Sequence, residues 1–250
     1  MAPMQSRGFP SRIVESPTVA IPKNPPWKTT VTRRTRIVAP GSRSCMNRLF
    51  YRCLVLFGKG PVYAASRVRY FGREHVHPTE GALLVSNHPH YFDSMLIMGA
   101  CPRPVRWLSM TEVSLGRFRW FFQLIGAVPL RRGGKDSAAT RVLIRLLREG
   151  EIIGAFPEGR VQTGDQSVVR GGPMGEGLFR LAALAGVPVL PCAVAGGEPF
   201  SRWTAWLPFR RTRWAVAFGP PIPPSDNIIA EVRTALTGLY QQAAAHVLAH

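Results

Sequence analysis

His88 and Asp93 lie five positions apart in the run Asn87-His88-Pro89-His90-Tyr91-Phe92-Asp93-Ser94, a spacing that sets an imidazole and a carboxylate across a break in the chain. Pro89 forbids a regular helix where His88 leaves the strand-like run 82–86, so the imidazole is expected on a turn. Asp93 then enters the first turn of a helix whose apolar body begins at Met95. From there a carboxylate can curl back onto one ring nitrogen, fix the tautomer and leave the other nitrogen to take a proton. His90, only three positions before Asp93, is expected to line the site. A satisfied structural pair would look the same in sequence. The pair is a base with its orienter and has no nucleophile beside it, which suits chemistry on a hydroxyl brought by the substrate.

Of three further blocks, two end apolar runs in residues that hold anions. In Ile152-Ile153-Gly154-Ala155-Phe156-Pro157-Glu158-Gly159-Arg160 a strand runs into a turn, and Gly159 is expected to let the backbone approach a ligand closely. In Ile125-Gly126-Ala127-Val128-Pro129-Leu130-Arg131-Arg132 an apolar run also ends in arginine, although a solvated basic turn would read alike. The fourth, Gly186-Val187-Pro188-Val189-Leu190-Pro191-Cys192, carries two prolines, which suits an edge or a wall more than a central ladder.

These blocks, in this order across residues 65–225, resemble those of the glycerophospholipid acyltransferases, the 1-acylglycerol-3-phosphate O-acyltransferase-like family. That family's blocks read Asn-His-x4-Asp, Gly-x5-Arg, Phe-Pro-Glu-Gly with a basic residue, and Val-Pro-x-x-Pro. The resemblance implies that His88 is the general base and Asp93 its partner. It implies that Gly126, Arg131, Arg132, Glu158, Gly159 and Arg160 shape the acceptor site, and that Val187, Pro188 and Pro191 wall the acyl donor or acyl chain. It further implies transfer of a fatty acyl group from acyl-CoA or acyl carrier protein to a hydroxyl of a lysophospholipid, foremost lysophosphatidic acid, with no metal, no cofactor and no acyl-enzyme. Two departures stand out. Arg160 follows Gly159 directly and Val161 takes the slot where the family usually has arginine, as in tafazzin-like members; Pro129 and Arg131 replace a common aromatic and acidic pair. Transacylation, or acylation of another lysolipid or an amino-lipid, is the alternative within the class. A noncatalytic lipid or nucleic-acid binder is the alternative outside it, and it would not require an oriented base.

The elements that must position these residues alternate along the chain. Strands are expected at 82–86, 105–109, 127–130, 152–156, 188–194 and 214–218, and helices at 92–99, 114–124, 137–149, 175–185 and 228–248. That order predicts a single α/β domain with a central mixed β-sheet flanked by helices, over residues 71–250. Residues 1–44 hold eight basic side chains, one acidic side chain (Glu15) and seven prolines, a composition expected to stay disordered. An organelle transit peptide is the competing reading, and no secretory core precedes a cleavage site. Residues 45–70 read as an amphipathic helical segment, either lying in a membrane interface or packing in a core; the clusters at 115–122 and 203–210 pose the same choice.

Charge points toward an anionic membrane surface. The net charge is +18, of which residues 1–60, with 11 basic and one acidic side chains, contribute +10. No nucleic-acid-binding signature accompanies it, so nucleic acid is not expected as a partner. No apolar run reaches the roughly 18 residues a spanning helix needs, and attachment is expected to be peripheral, on a cytoplasmic face. The four cysteines show no paired short spacing, which fits a reducing compartment. Glu74, His75 and His77 do not complete a metal coordination sphere.

Overall fold

The computed structural model describes Cys53, Leu56 and residues 66–110, 127–130, 137–197 and 212–249. Among these, seven strands and four α-helices follow one another as β1 (Ser66–Phe71), β2 (Ala82–Ser86), α1 (Asp93–Ala100), β3 (Val105–Met110), β4 (Val128–Leu130), α2 (Ser137–Arg148), β5 (Ile152–Ala155), α3 (Glu176–Ala185), β6 (Val189–Ala195), β7 (Thr212–Phe218) and α4 (Ile228–Leu248), with short 3-10 turns between. The strands form one sheet in the order β1-β7-β6-β2-β5-β3-β4. All neighbours are parallel except β6 and β7. The sheet is therefore mixed and helix-flanked, as the alternation of elements predicts.

Side-chain alternation sorts the core into two layers. Leu84, Ile152, Leu190, Val194, Trp214 and Val216 face α1, whose Leu96 and Ile97 are buried against them. Leu83, Val85, Ile153 and Val189 face the other way, onto Leu143 and Leu147 of α2, Phe179 and Leu181 of α3, and Val232 and Leu236 of α4. Covered on both sides, β2, β5 and β6 are buried at every residue. Their near-continuous apolar sequence is the consequence.

Two expectations change. Residues 66–70, assigned from sequence to the amphipathic segment, belong to β1, which pairs with β7 from Ser66↔Thr212 to Phe71↔Ala217; residues 1–52 and 57–65 lie outside the described residues. β6, expected at an edge, lies third in the sheet between β7 and β2. Its Pro191 is tolerated because its backbone faces the β7 side where that strand has ended: the Pro191 carbonyl accepts from Gly219 N–H at 2.9 Å, one residue past Phe218. The missing N–H forfeits only the reciprocal bond to the Gly219 carbonyl, one step beyond the regular β6–β7 ladder. The expected helix at 114–124 lies outside the described residues.

Gly154 of β5 makes room for an aromatic neighbour. It stands in register with Trp107 of β3, and a Cβ there would meet Val105 Cγ1 at 2.7 Å and the Trp107 ring at 2.8 Å. Gly154→Ala should therefore destabilise the fold by about 1–3 kcal/mol, the usual cost of overpacking a core. Urea unfolding of the variant checks this; an unchanged midpoint would show that the ring gives way freely.

Candidate active site

β2 ends at Ser86, and the next residue continues its work by other means. Asn87 is buried, with its Nδ2 donating to Val194 O at 2.9 Å and its Oδ1 accepting from Val194 N–H at 2.8 Å. The side-chain amide thus imitates a ladder step to β6. It fixes the direction in which the chain leaves the sheet and so places His88.

His88 Nδ1 lies 3.0 Å from Asp93 Oδ2. Asp93, the first residue of α1, sits where unpaired helix N–H groups favour a negative charge. The carboxylate selects the tautomer with the proton on Nδ1, and Nε2 makes no hydrogen bond among the described residues. The imidazole retains 15% of its surface. It stacks on Phe156 at 3.8 Å between ring centroids and 8° between planes, and Phe156 stacks in turn on Trp107 at 4.6 Å. The ring is thus held by a hydrogen bond at one nitrogen and by a flat apolar surface on one face.

The same turn buries the carboxylate. His90 N–H donates to Asp93 Oδ2 at 2.7 Å, and Asp93 N–H donates to His90 O at 3.2 Å. His90 itself is buried between Phe92, at 5.4 Å, and Trp214, at 6.3 Å, and its Nδ1 accepts from Phe92 N–H. It is a structural part of the turn, distinct from His88. Asp93 Oδ1 is buried without a hydrogen-bond partner among the described residues. Burial raises the Asp93 pKa above the ordinary aspartate range, opposed by the hydrogen bonds from His88 and His90.

The Glu158 carboxylate is turned onto the chain itself. Its Oε2 accepts from His88 N–H at 3.0 Å, while Oε1 accepts from Ser167 Oγ at 3.0 Å and from Val168 N–H at 2.8 Å. Burial raises its pKa too, against the pull of those three donors. Gln162 N–H donates to His88 O at 2.9 Å, so both main-chain groups of His88 are held by the 158–162 loop. Gly159 is exposed with φ +66°, and a Cβ there would meet nothing within 4 Å. The turn uses glycine for its left-handed backbone, and no described part of the chain crowds its Cβ position. Arg160 is exposed, and its Nε and Nη2 lie 2.6 and 3.1 Å from the Gln162 amide oxygen once that amide is oriented to accept.

The structure thus brings together His88, Asp93, Glu158, Gly159 and Arg160. It separates Val187 and Pro188 from them. Leu83 is in register with Val189, which puts Val187 and Pro188 at the opposite end of the sheet, roughly 20 Å from His88 at strand rise. Val187 is buried in the layer under α3, and Pro191 lies mid-strand in β6. Val187 and Pro188 thus lie at the far end of the core from His88, whereas Pro191 stands beside Val85, near the end of β2. Gly126, Arg131 and Arg132 lie outside the described residues. Sequence reading quoted Asn87 within the motif but gave it no role; a polar residue at a strand end, followed at once by the base, is the signal that marks it.

An imidazole oriented by a carboxylate at a strand end, with no side-chain hydroxyl or thiol hydrogen-bonded to it among the described residues, is an arrangement suited to taking a proton from a hydroxyl of a bound molecule. Comparison with known proteins agrees. A family model described as Acyltransferase matches residues 67–195, so this chain belongs to the acyltransferase family. It is 23% identical over 163 residues to the 1-acyl-sn-glycerol-3-phosphate acyltransferase of Bacillus subtilis, covering 64% of this chain and 75% of that protein. It is 27% identical over 168 residues to the alpha form of that enzyme from Mus musculus, covering 66% and 57%. The crystal structure of the 1-acyl-sn-glycerophosphate (LPA) acyltransferase from Thermotoga maritima shares the fold with a TM-score of 0.64 at 21% identity, covering 79% of this chain and 81% of that one.

Two predictions follow from the geometry. Asn87→Ala leaves Val194 N–H and C=O without partners, which should cost about 2–4 kcal/mol at roughly 1–3 kcal/mol per unsatisfied group, measured by denaturant unfolding. Asp93 gives a pH signature. Its folded pKa is raised, so its contribution to stability is full below the ordinary aspartate pKa and is lost as pH rises through the raised value. Relative to Asp93→Asn, the intact chain should lose stability from pH 4 to pH 7; a rising difference would mean that the His88 bond outweighs burial.

Proposed function

We propose that this chain acylates a lysophospholipid, foremost 1-acyl-glycerol-3-phosphate, from an acyl thioester of coenzyme A or acyl carrier protein. The observation that supports this most is the His88–Asp93 pair, with Nδ1 engaged at 3.0 Å and Nε2 without a hydrogen bond among the described residues. Nε2 takes the proton of the acceptor hydroxyl as its oxygen attacks the thioester carbonyl. The C–S bond breaks, and the imidazolium returns the proton to the leaving thiolate. The products are phosphatidic acid and a free thiol. Asp93 stabilises the transient imidazolium, and the relatives' activity on 1-acyl-sn-glycerol-3-phosphate supports the acceptor.

Arg160, on the loop that holds His88, is the described guanidinium we assign to the acceptor phosphate, for which a planar fork of donors is suited. Arg131 and Arg132 are assigned to the same anion on their sequence alone. Membrane attachment in this reading is peripheral: no helix among the described residues is long and apolar enough to cross a bilayer.

Purified chain, lysophosphatidic acid and acyl-CoA or acyl carrier protein should yield phosphatidic acid and free thiol by mass spectrometry. His88→Ala should lower kcat by about 10²–10⁴, the usual worth of a positioned general base, with an unchanged unfolding midpoint. Full turnover in that variant would remove His88 from the mechanism. Product only with a different lysolipid would move the acceptor assignment.

A further inference from the structure

Along β1 the side chains alternate between two environments. Val68 and Tyr70 pack against the layer that buries Trp214, whereas Phe71 packs with Ala215 and Ala217 beside α4. Arg67 and Arg69 fall on the Phe71 face and are exposed. On β7, Arg213 precedes the buried Trp214 and so faces the same way, and the parallel register sets it directly beside Arg67. Three guanidinium groups therefore crowd one face of the sheet's edge. None of them has an ion pair or hydrogen bond among the described residues. Like charges opposed on neighbouring strands repel, and arginine does not relieve that by losing its proton. An anion supplied from outside the chain does.

The location of this cluster says which anion. β1 and β7 run opposite to β2 and β6, so they begin at the rim of the sheet where β2 and β6 end. Arg67 and Arg213 stand one residue inside that rim. The chain leaving β6 passes the same place, since a Cβ at Gly197 would lie 3.2 Å from the Trp214 ring and 3.5 Å from His90 Cβ. The arginines thus border the end of the sheet that carries His88 and Asp93, on the outermost strand and its neighbour.

We propose that Arg67, Arg69 and Arg213 form a docking surface for the phosphates of anionic phospholipids, seating the rim with His88 against a bilayer. The proposal rests on reading the acceptor as a lipid held in that bilayer. Guanidinium pairs with phosphate bidentately, and residues beyond position 60 carry +8 of the chain's +18, so no acidic excess repels such a surface.

The test uses the full chain and its Arg67→Gln, Arg69→Gln, Arg213→Gln triple variant, sedimented with phosphatidylcholine vesicles with or without one part in three of phosphatidylglycerol. The intact chain should favour the anionic vesicles and lose that preference as salt rises. The triple variant should partition at least about tenfold more weakly, given the attraction each basic residue near such a surface contributes. Turnover of lysophosphatidic acid embedded in the anionic vesicles should fall with it, while turnover of a short-chain, monodisperse lysophosphatidic acid stays unchanged. Equal vesicle binding by the triple variant overturns the proposal. A lower unfolding temperature with vesicle binding unchanged assigns the arginines to the nearby end of α4 instead. Lost retention on DNA with vesicle binding unchanged assigns them to nucleic acid. Vesicle binding that needs the arginines in a chain that acylates neither substrate leaves this surface standing and overturns the proposed reaction.

Discussion

The main chain of His88 is the point on which the site depends. β2 has ended, so no neighbouring strand remains to receive its N–H and C=O, and a buried strand end cannot leave such groups unpaired. The Glu158 carboxylate takes the N–H and the Gln162 N–H takes the carbonyl, while Asn87 has already extended the β6 ladder by one step. These bonds hold the backbone, and Asp93 and Phe156 hold the ring. An imidazole fixed at both levels keeps its unbonded nitrogen in one place, which is what the proposed proton transfer requires.

That arrangement explains the choice of glutamate at position 158. Three donors converge on its two oxygens from His88, Ser167 and Val168. A carboxylate offers acceptors on both sides, whereas glutamine would turn one side into a donor facing N–H or O–H groups. Aspartate would be a methylene too short to span from its own turn to both partners. The cost is a partly buried charge, seen in the raised pKa of Glu158, as burial likewise raises that of Asp93. Two carboxylates are held against desolvation at the place where the chemistry needs them, which is where strain of this kind is expected.

What sequence showed clearly was local. The apolar run of β2, the break at Pro89 and the start of α1 each announce themselves within a few residues, and so do α2 and α4 through their periodicity. What it hid was decided by partners far along the chain. β1 reads Ser-Arg-Val-Arg-Tyr-Phe, with apolar residues that continue a preceding apolar stretch, and only pairing with β7 makes it a strand. Pro191 argued for an edge because sequence does not say where β7 stops. Glu158 beside Arg160 read as a ligand-binding turn, and the bracing part Glu158 plays was hidden because its donors include one 70 positions away. Val187 and Pro188 share a motif with no nearness to His88, because motif order along a chain does not report which end of a strand faces the site.

The 158–172 loop gains its firmness from the last helix. Arg233 of α4 donates through Nη1 to Gly172 O at 2.8 Å and to Val168 O at 3.4 Å. Gly172 N–H in turn donates to Ser167 O at 2.9 Å, the carbonyl of the same peptide whose N–H, that of Val168, reaches Glu158. A continuous run of hydrogen bonds therefore passes from α4 through residues 168–172 to Glu158 and ends on the backbone of His88. The order of the elements in space makes this possible: α4 packs under β6 and β7 on one face of the sheet, while the imidazole rests on Phe156 and Trp107, which pack with the other. The imidazole is thus braced from both layers of the core, and the 158–172 loop links it to the last helix.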